Sequence, residues 1–271
     1  MREPANPEEP AMTLTISTNE SDSSAAEAVV NHHAQLLGSL ALLADGVVSA
    51  TAAGDVAATL QARDRLRDWC KNELLPHAQA EEHVLYPAAG VRPEGRLLID
   101  GMLAEHSALA KLVDALDGDD PTRLAATAHT LHIILGLHID KENDLVLPLL
   151  ASAPDVSLEA LLGGMHELLG HDDNTTTSSH DDEGHVCGCH EPDDQSYPEL
   201  DARHVPHAIR HATIFGALDA VRPGGGLILI APHDPLPLLA QLEQRSPNTF
   251  SVSYLERGPE MCRLSIVRAE A

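Results

Sequence analysis

The chain of 271 residues carries 42 acidic and 17 basic side chains, a formal net charge of −25, and only 2% of its residues are aromatic. This charge opposes binding to nucleic-acid phosphates and to anionic membrane surfaces, and the scarcity of aromatic rings argues against base-stacking platforms. No apolar run approaches the length of about 20 residues that spans a bilayer, and residues 1–23 lack the basic start and apolar core of a signal peptide. We therefore expect a cytoplasmic protein with no nucleic-acid or membrane partner.

The first 170 residues predict a tail followed by a bundle of helices. Residues 1–23 are rich in Pro, Glu, Ser and Thr, and we expect them to be disordered. Ser24 and Glu27 form a capping box that opens a helix ending near Gly54. Apolar residues at three- and four-residue intervals predict further helices at roughly 55–87, at 94–116, from Asp120-Pro121 onward and at 156–169. Because short loops join these long helices, we predict an up-down four-helix bundle over residues 24–170.

The composition changes twice after the bundle. Residues 171–197 contain eight acids and no Lys or Arg, which predicts a linker that builds no core. Residues 198–271 alternate strand and helix patterns in the order βαβαββ, with Asp234 as the predicted cap of the second helix and the final hairpin turning at Arg257-Gly258-Pro259. The predicted fold is thus mainly α, with a small two-layer α/β sandwich at the C-terminal end.

Two His–Glu pairs interrupt apolar faces of the predicted bundle. His77 and Glu81 are four residues apart, as are His138 and Glu142, so each pair lies on one face of its helix. Apolar residues share both faces, Leu145 among them, which predicts that the pairs point into the core. A buried carboxylate without a counter-charge costs several kcal/mol. No Lys or Arg occupies the core-facing positions that we identify, which favours a divalent metal over an ion pair.

Two further histidines complete a repeated pattern. His33 shares the apolar stripe of the first helix, whereas His32 points about 100° away from it. His106 shares the stripe of the third helix, so each half of the bundle offers one histidine followed by one His–Glu pair. Nitrogen and oxygen ligands at an open site suit iron, with manganese or zinc as alternatives. A polar network in the core is the interpretation without a metal.

This pattern resembles the hemerythrin-like HHE cation-binding domains over roughly residues 24–170. The resemblance implies a four-helix bundle that holds a non-haem di-iron centre bridged by the two glutamates. Carried over residue by residue, it implies six metal ligands: His33, His77, Glu81, His106, His138 and Glu142. Oxygen-carrying members have one more histidine on the third helix, where this chain has Ala110. An open position, a water, or one of Glu82, Glu105 and His132 would take its place.

The C-terminal part carries a second group of metal-binding residue types. Cys187, Cys189 and His190 lie within four residues, and thiolates suit soft ions such as Zn²⁺ or Cu(I). His204, His207 and His211 follow at spacings of three and four. These residues predict either a second metal site or a flexible linker followed by helix-face histidines, and a redox-active dithiol is a third alternative.

Residues 198–271 resemble the TusA/SirA-like sulfur-carrier fold, through Leu200-Asp201, a Pro-Gly turn and a His-Asp-Pro segment. Where those carriers have a cysteine before the first helix, this chain has His207. The resemblance therefore does not imply persulfide transfer here. Cys262, in the final hairpin, is expected to contribute to packing.

The function implied by the resemblance is the binding or sensing of O2 or NO in a response to nitrosative or oxidative stress. Two other functions remain open. One is a di-iron enzyme, an NO reductase or a peroxidase. The other is iron storage or delivery that aids iron–sulfur repair, with a redox or iron–sulfur protein as the partner. The sequence does not decide among the three.

Overall fold

The computed structural model describes residues 20–169, 197–258 and 261–270. In the first of these ranges the chain is almost wholly helical, as the sequence predicted. The helices are α1 (Glu20–Ala52), α2 (Val56–Trp69), α3 (Leu75–Gly90), α4 (Arg96–Ala115), α5 (Pro121–Lys141), α6 (Leu147–Ala151) and α7 (Leu158–Leu169). A five-residue π turn joins α2 to α3 (Cys70–Leu74), and another joins α5 to α6 (Glu142–Val146).

The long helices form the predicted bundle. Helix α1 packs against α2 and α5, and α4 packs against α3 and α5. One apolar cluster, which includes Leu66 and Leu131, fills the end of the bundle near the α1–α2 loop. A second, which includes Met102 and Leu150, fills the other end and is covered by α7. The mainly α fold class with a four-helix bundle is confirmed.

The π turns let the helices continue past Pro76 and Pro148, each of which lies in the first turn after one of them. Proline lacks the N–H that an α-helical hydrogen bond requires. In the π turns, the N–H of Leu75 bonds to the carbonyl of Cys70, and that of Leu147 bonds to the carbonyl of Glu142. The bonds reach back five residues instead of four, so side chains beyond each turn change face.

Helix α1 starts at Glu20, so residues 20–23, which we had assigned to the disordered tail, form its first turn. Asp22 in this turn is buried, and its Oδ1 accepts a hydrogen bond from the Glu159 N–H at 3.0 Å. A carboxylate at this position satisfies an otherwise free N–H at the start of α7. This contact explains why the helix extends beyond the predicted capping box at Ser24.

One helix of the described residues, Ser21–Ala52, is long and apolar enough to cross a membrane by length and composition. We had expected no apolar run long enough to span a bilayer. Half of its most apolar window is buried inside the protein, as in the core helix of a bundle.

The C-terminal unit has the predicted βαβαββ order. Its elements are β1 (Glu199–Asp201), α8 (Arg210–Asp219), β2 (Gly226–Ala231), α9 (Leu236–Arg245), β3 (Phe250–Arg257) and β4 (Cys262–Arg268). The sheet order is β1-β2-β4-β3, with β1 parallel to β2 and the other pairs antiparallel. Leu229 and Leu264 of the sheet pack with Ile214 of α8 and Leu238 of α9. Cys262 is fully buried in this core, as expected.

The predicted cap of the second helix in this unit was wrong. Pro235, not Asp234, precedes the first residue of α9, and no side chain caps its N-terminus. The Asp234 carboxylate instead accepts a hydrogen bond of 2.7 Å from the Tyr254 hydroxyl and pairs with Arg257. Contacts with β3 therefore replace the local cap.

Helix α8 of the C-terminal unit packs directly on α1 of the bundle. A Cβ atom on Gly38 would lie 1.9 Å from the Thr213 carbonyl oxygen, and one on Gly216 would lie 2.1 Å from the Gln35 carbonyl oxygen. Ser39 Oγ also donates a hydrogen bond of 2.7 Å to the Gly216 carbonyl. The two backbones touch because these glycines have no side chain. Nothing in the sequence predicted this contact.

We expect Gly38→Ala to lower the free energy of unfolding by about 1–3 kcal/mol, because the added methyl forces the two helices apart. Gly101→Ala is the matched control, since a Cβ there meets no atom within 4 Å. Its better helix propensity should raise stability by up to about 1 kcal/mol. Urea unfolding midpoints measure the stability of both variants. Midpoints that shift in the same direction in Gly38→Ala and Gly101→Ala would contradict the close contact.

Candidate metal centre

All six residues that the resemblance named as ligands lie together in the core of the bundle. Each is at most 5% exposed. The structure contains two groups in which one ligand atom of every member lies within 4.8 Å of the others. The first group is His33, His77 and Glu81, and the second is Glu81, His106, His138 and Glu142. The helices and π turns bring them to one depth, so the predicted positions converge.

In the first group, two imidazoles face one carboxylate oxygen. Oε1 of Glu81 lies 3.2 Å from His33 Nε2 and 2.9 Å from His77 Nε2. His33, rather than its neighbour His32, supplies the ring that points inward. His32 is exposed, and its ring centroid lies 4.9 Å from that of His77.

In the second group, two imidazole nitrogens face each other. His106 Nε2 lies 2.9 Å from His138 Nε2 and 3.6 Å from Glu81 Oε2. Glu142 presents Oε1 to His138 Nε2 at 3.6 Å and Oε2 to His33 Nε2 at 3.7 Å. The second group therefore shares Glu81 with the first and also reaches it through Glu142.

Side chains outside the cluster fix how three of the rings are protonated. Nδ1 of His106 lies 2.9 Å from Glu82 Oε1, and Nδ1 of His138 lies 3.0 Å from Glu105 Oε2. Nδ1 of His33 lies 2.8 Å from the Asn143 side-chain oxygen. These oxygens only accept hydrogen bonds, so Nδ1 of each ring carries a proton and Nε2 is the atom that faces the cluster. Such outer partners orient histidine ligands in metal sites.

Charges inside the cluster outweigh the effect of burial on its pKa values. Burial alone would lower the pKa of His33, but the hydrogen bond to Glu81 and the charges of Glu142 and Glu81 raise it to about 9. Burial would raise the pKa of Glu81, yet the charge of His77 and hydrogen bonds with His106 and His33 hold it well below its usual value. Without a metal, a proton on His33 therefore offsets part of the carboxylate charge, and a bound cation would displace it.

Atoms without partners show that the cluster fits a cation. Among the described residues, neither ring nitrogen of His77 has a hydrogen-bond partner, although Glu81 Oε1 lies 2.9 Å from its Nε2. Oε2 of Glu142 also has none. With the facing Nε2 atoms of His106 and His138, these buried lone pairs are costly alone and are satisfied together by a positive ion. The residues thus could hold a metal ion.

Tyr86 is a member of the site that the sequence analysis missed. Its hydroxyl donates a hydrogen bond of 2.6 Å to Glu142 Oε1 and lies 3.2 Å from His106 Nε2 and 3.3 Å from His138 Nε2. Burial and the charges of Glu142 and Glu81 raise the Tyr86 pKa, so the phenol stays protonated. Tyr86 is one of only three tyrosines in the sequence, and it lies next to the apolar stripe that carries Glu81. These two features could have indicated its place in the site.

The substitutes considered for the missing histidine at Ala110 lie elsewhere. Glu82 and Glu105 contact the outer nitrogens of His106 and His138, not the inner side of the cluster. His132 lines a different cavity, beside the C-terminal unit. Of the residues described, the Tyr86 hydroxyl is the additional polar group that reaches the inner nitrogens.

We expect Tyr86→Phe to retain the iron stoichiometry at saturation but to weaken iron binding by about 10–100-fold, the usual effect of removing an outer partner. The change leaves Glu142 without its shortest hydrogen bond. Competition with a chelator of known affinity measures the loss, and Tyr254→Phe, at an exposed position of the C-terminal unit, is the control. Equal affinities for Tyr86→Phe and the wild type would contradict this role.

The second predicted metal site is not assembled within the described ranges, where the two groups in the bundle are the sets of ligand atoms that converge. Cys187, Cys189 and His190 lie outside the described residues. His204 and His207 are exposed, and exposed His211 pairs with Gln241 through a hydrogen bond of 2.9 Å. A role for the six residues together stays a prediction.

Two parts of the chain match known families. Residues 24–150 match the family described as the hemerythrin HHE cation binding domain. Residues 199–268 match a family described as an uncharacterized conserved protein, DUF2249. Searches of curated proteins and of solved structures found no match. The likeness of the C-terminal unit to sulfur carriers therefore stays a prediction.

Proposed function

Because the N-terminal part of this chain is a hemerythrin HHE cation-binding domain, joined to a DUF2249 domain, we propose that it holds two non-haem iron ions and binds or senses O2 or NO. The observation that carries the proposal is the position of the two carboxylates. Each presents one oxygen to each half of the cluster, as a bridge between two ions requires.

Glu81 is the better placed of the two carboxylates to bridge two ions. Its Oε1 lies 2.9 Å from His77 Nε2 in the first group, and its Oε2 lies 3.6 Å from His106 Nε2 in the second. Glu142 also lies between the two groups, because its Oε1 faces His138 of the second group and its Oε2 faces His33 of the first. The two oxygens of each carboxylate thus face different histidines. This arrangement supports two ions, and mixed imidazole and carboxylate ligands suit iron.

A pair of ferrous ions held by these residues would supply the redox chemistry for binding O2 or NO. The protein supplies the surroundings. Glu82, Glu105 and Asn143 hold the rings so that their inner nitrogens face the cluster. The buried apolar clusters at both ends of the bundle exclude bulk water. The Tyr86 hydroxyl donates its hydrogen bond to Glu142 and so helps to hold that carboxylate in place.

The test is an optical titration of the anaerobically reconstituted ferrous protein with O2 and with NO. We expect new absorption bands that saturate with the ligand and disappear when it is removed or reduced. The His138→Ala variant, which lacks one ligand of the second group, is the matched control.

An unchanged spectrum with both gases in fully loaded protein would contradict the proposal. Continuous consumption of NO or peroxide with a supplied reductant would identify an enzyme instead. Transfer of the iron to an apo acceptor protein, without any gas adduct, would favour storage or delivery.

A further inference from the structure

A cavity of about 520 Å³ lies between the bundle and the C-terminal unit and reaches one residue of the cluster, His77. His77, a buried member of the first ligand group, forms part of its wall. Both ring nitrogens of His77 lack hydrogen-bond partners among the described residues. His32, exposed and in ring contact with His77, lines the same cavity. The cavity therefore leads from the outside of the bundle to the side chain of one member of the cluster.

The C-terminal unit supplies one wall of this cavity. Gly216, Asp219 and Ala220, in and just after α8, line it opposite residues of α1. The backbone contact of Gly216 with Gln35 and its hydrogen bond with Ser39 hold α8 at this place. A movement of the C-terminal unit on α1 would therefore change the width of the cavity.

The wall is apolar apart from a few groups, and its fixed charges are negative. No Lys or Arg belongs to the lining among the described residues, whereas Glu73 and Asp219 do. Asp219 pairs with Arg245 at 2.7 Å, which offsets its charge. Within the described ranges Glu73 forms no ion pair and is exposed. Glu73 is thus the uncompensated charge on the path to His77, and its field repels anions.

We propose that this cavity is the access route to the metal centre for a small uncharged molecule, that α8 of the C-terminal unit forms its outer wall, and that Glu73 repels anions from it. The inference rests on the proposed function, since it concerns the ligand of that centre. It assigns the DUF2249 domain a part in controlling access and explains how the route distinguishes a neutral diatomic from azide or nitrite.

The chain provides its own reporter, because Trp69 is the single tryptophan and lines the cavity. Quenching of its fluorescence needs no iron, so full-length metal-free protein can be used. We expect neutral acrylamide to quench Trp69 well and iodide to quench it poorly. Glu73→Gln should raise the iodide quenching constant by about two- to threefold at constant ionic strength and leave acrylamide quenching unchanged. Glu94→Gln, at an exposed position outside the cavity, is the matched control.

Blocking the cavity is the second arm of the test. Ala28 lies on the exposed side of α1 and lines the cavity, so Ala28→Phe narrows it with little risk to the core. We expect this variant to reduce acrylamide quenching severalfold and, in iron-loaded protein, to slow the association of both NO and azide. Ala115→Phe, at an exposed position of α4 outside the cavity, should change neither.

The outcomes separate the two proposals. Unchanged quenching in both Glu73→Gln and Ala28→Phe would overturn the access route, whatever the centre binds. Altered quenching with unchanged NO association in Ala28→Phe would also overturn it, since the gas would then arrive by another path. Absence of any NO or O2 adduct in the loaded wild type would instead overturn the proposed function, and the quenching results would still decide whether the cavity admits neutral molecules only.

Discussion

Glu81→Gln is expected to lower the iron content of reconstituted protein to below about one ion per chain, because an amide offers no anionic oxygen to either ligand group. Glu81 is the residue that the two groups share. Its loss also leaves His33 and His77 without the carboxylate that they both face. Iron-to-protein ratios after anaerobic reconstitution and desalting measure the effect.

Substitutions of two other glutamates, one on the same helix and one just after it, are the controls for this experiment. Glu82→Gln alters only the outer partner of His106 and should weaken iron binding by about 10–100-fold while the ions still bind at saturation. Glu94→Gln, at an exposed position after the helix, should match the wild type. A Glu81→Gln variant that retains the wild-type iron content would contradict the bridging role.

Removal of the metal is the second change with a large expected effect. A ligand that binds only the folded state at a free concentration of 1,000 times its Kd stabilises that state by about 4 kcal/mol. The centre joins α1, α3, α4 and α5 through the buried side chains of its two groups. We therefore expect a chelator to lower the thermal unfolding midpoint of the bundle substantially, as followed by helical circular dichroism.

The Glu81→Gln variant supplies the control for this measurement. Its midpoint should respond little to iron or to chelator, because the cation no longer links the helices. Identical midpoints for loaded and metal-free wild type would mean that the ion contributes nothing to folding, which is incompatible with ligands at most 5% exposed.

The bundle could be predicted from the sequence because its signals are local. Apolar residues recur at helical spacing, and Asp120 caps α5 as expected, its Oδ1 accepting the Arg123 N–H at 2.9 Å. The π turns could not be predicted in this way. We placed Leu145 on the core stripe, yet it is 50% exposed, whereas Val146 and Leu147 are buried. The extra residue in the turn at Glu142–Val146 changes which side chains face inward.

In the candidate site, too, some residues could be predicted from local signals and others could not. The spacing of the His–Glu pairs and the face of His33 led to the residues that converge, because both depend on one helix at a time. The hydroxyl of Tyr86 and the carboxylates of Glu82 and Glu105 reach histidines on other helices. Their roles depend on how the helices pack, which no single-helix pattern contains. The contact of Gly38 with α8 could not be predicted from the sequence for the same reason.

The central claim is that the cluster holds two ions rather than one, and the iron-to-protein ratio tests it most directly. Full-length protein is reconstituted with ferrous iron under anaerobic conditions, freed of loosely bound metal and analysed for iron. We expect about two iron ions per chain, one for each ligand group. A ratio that saturates at or below about one would contradict it.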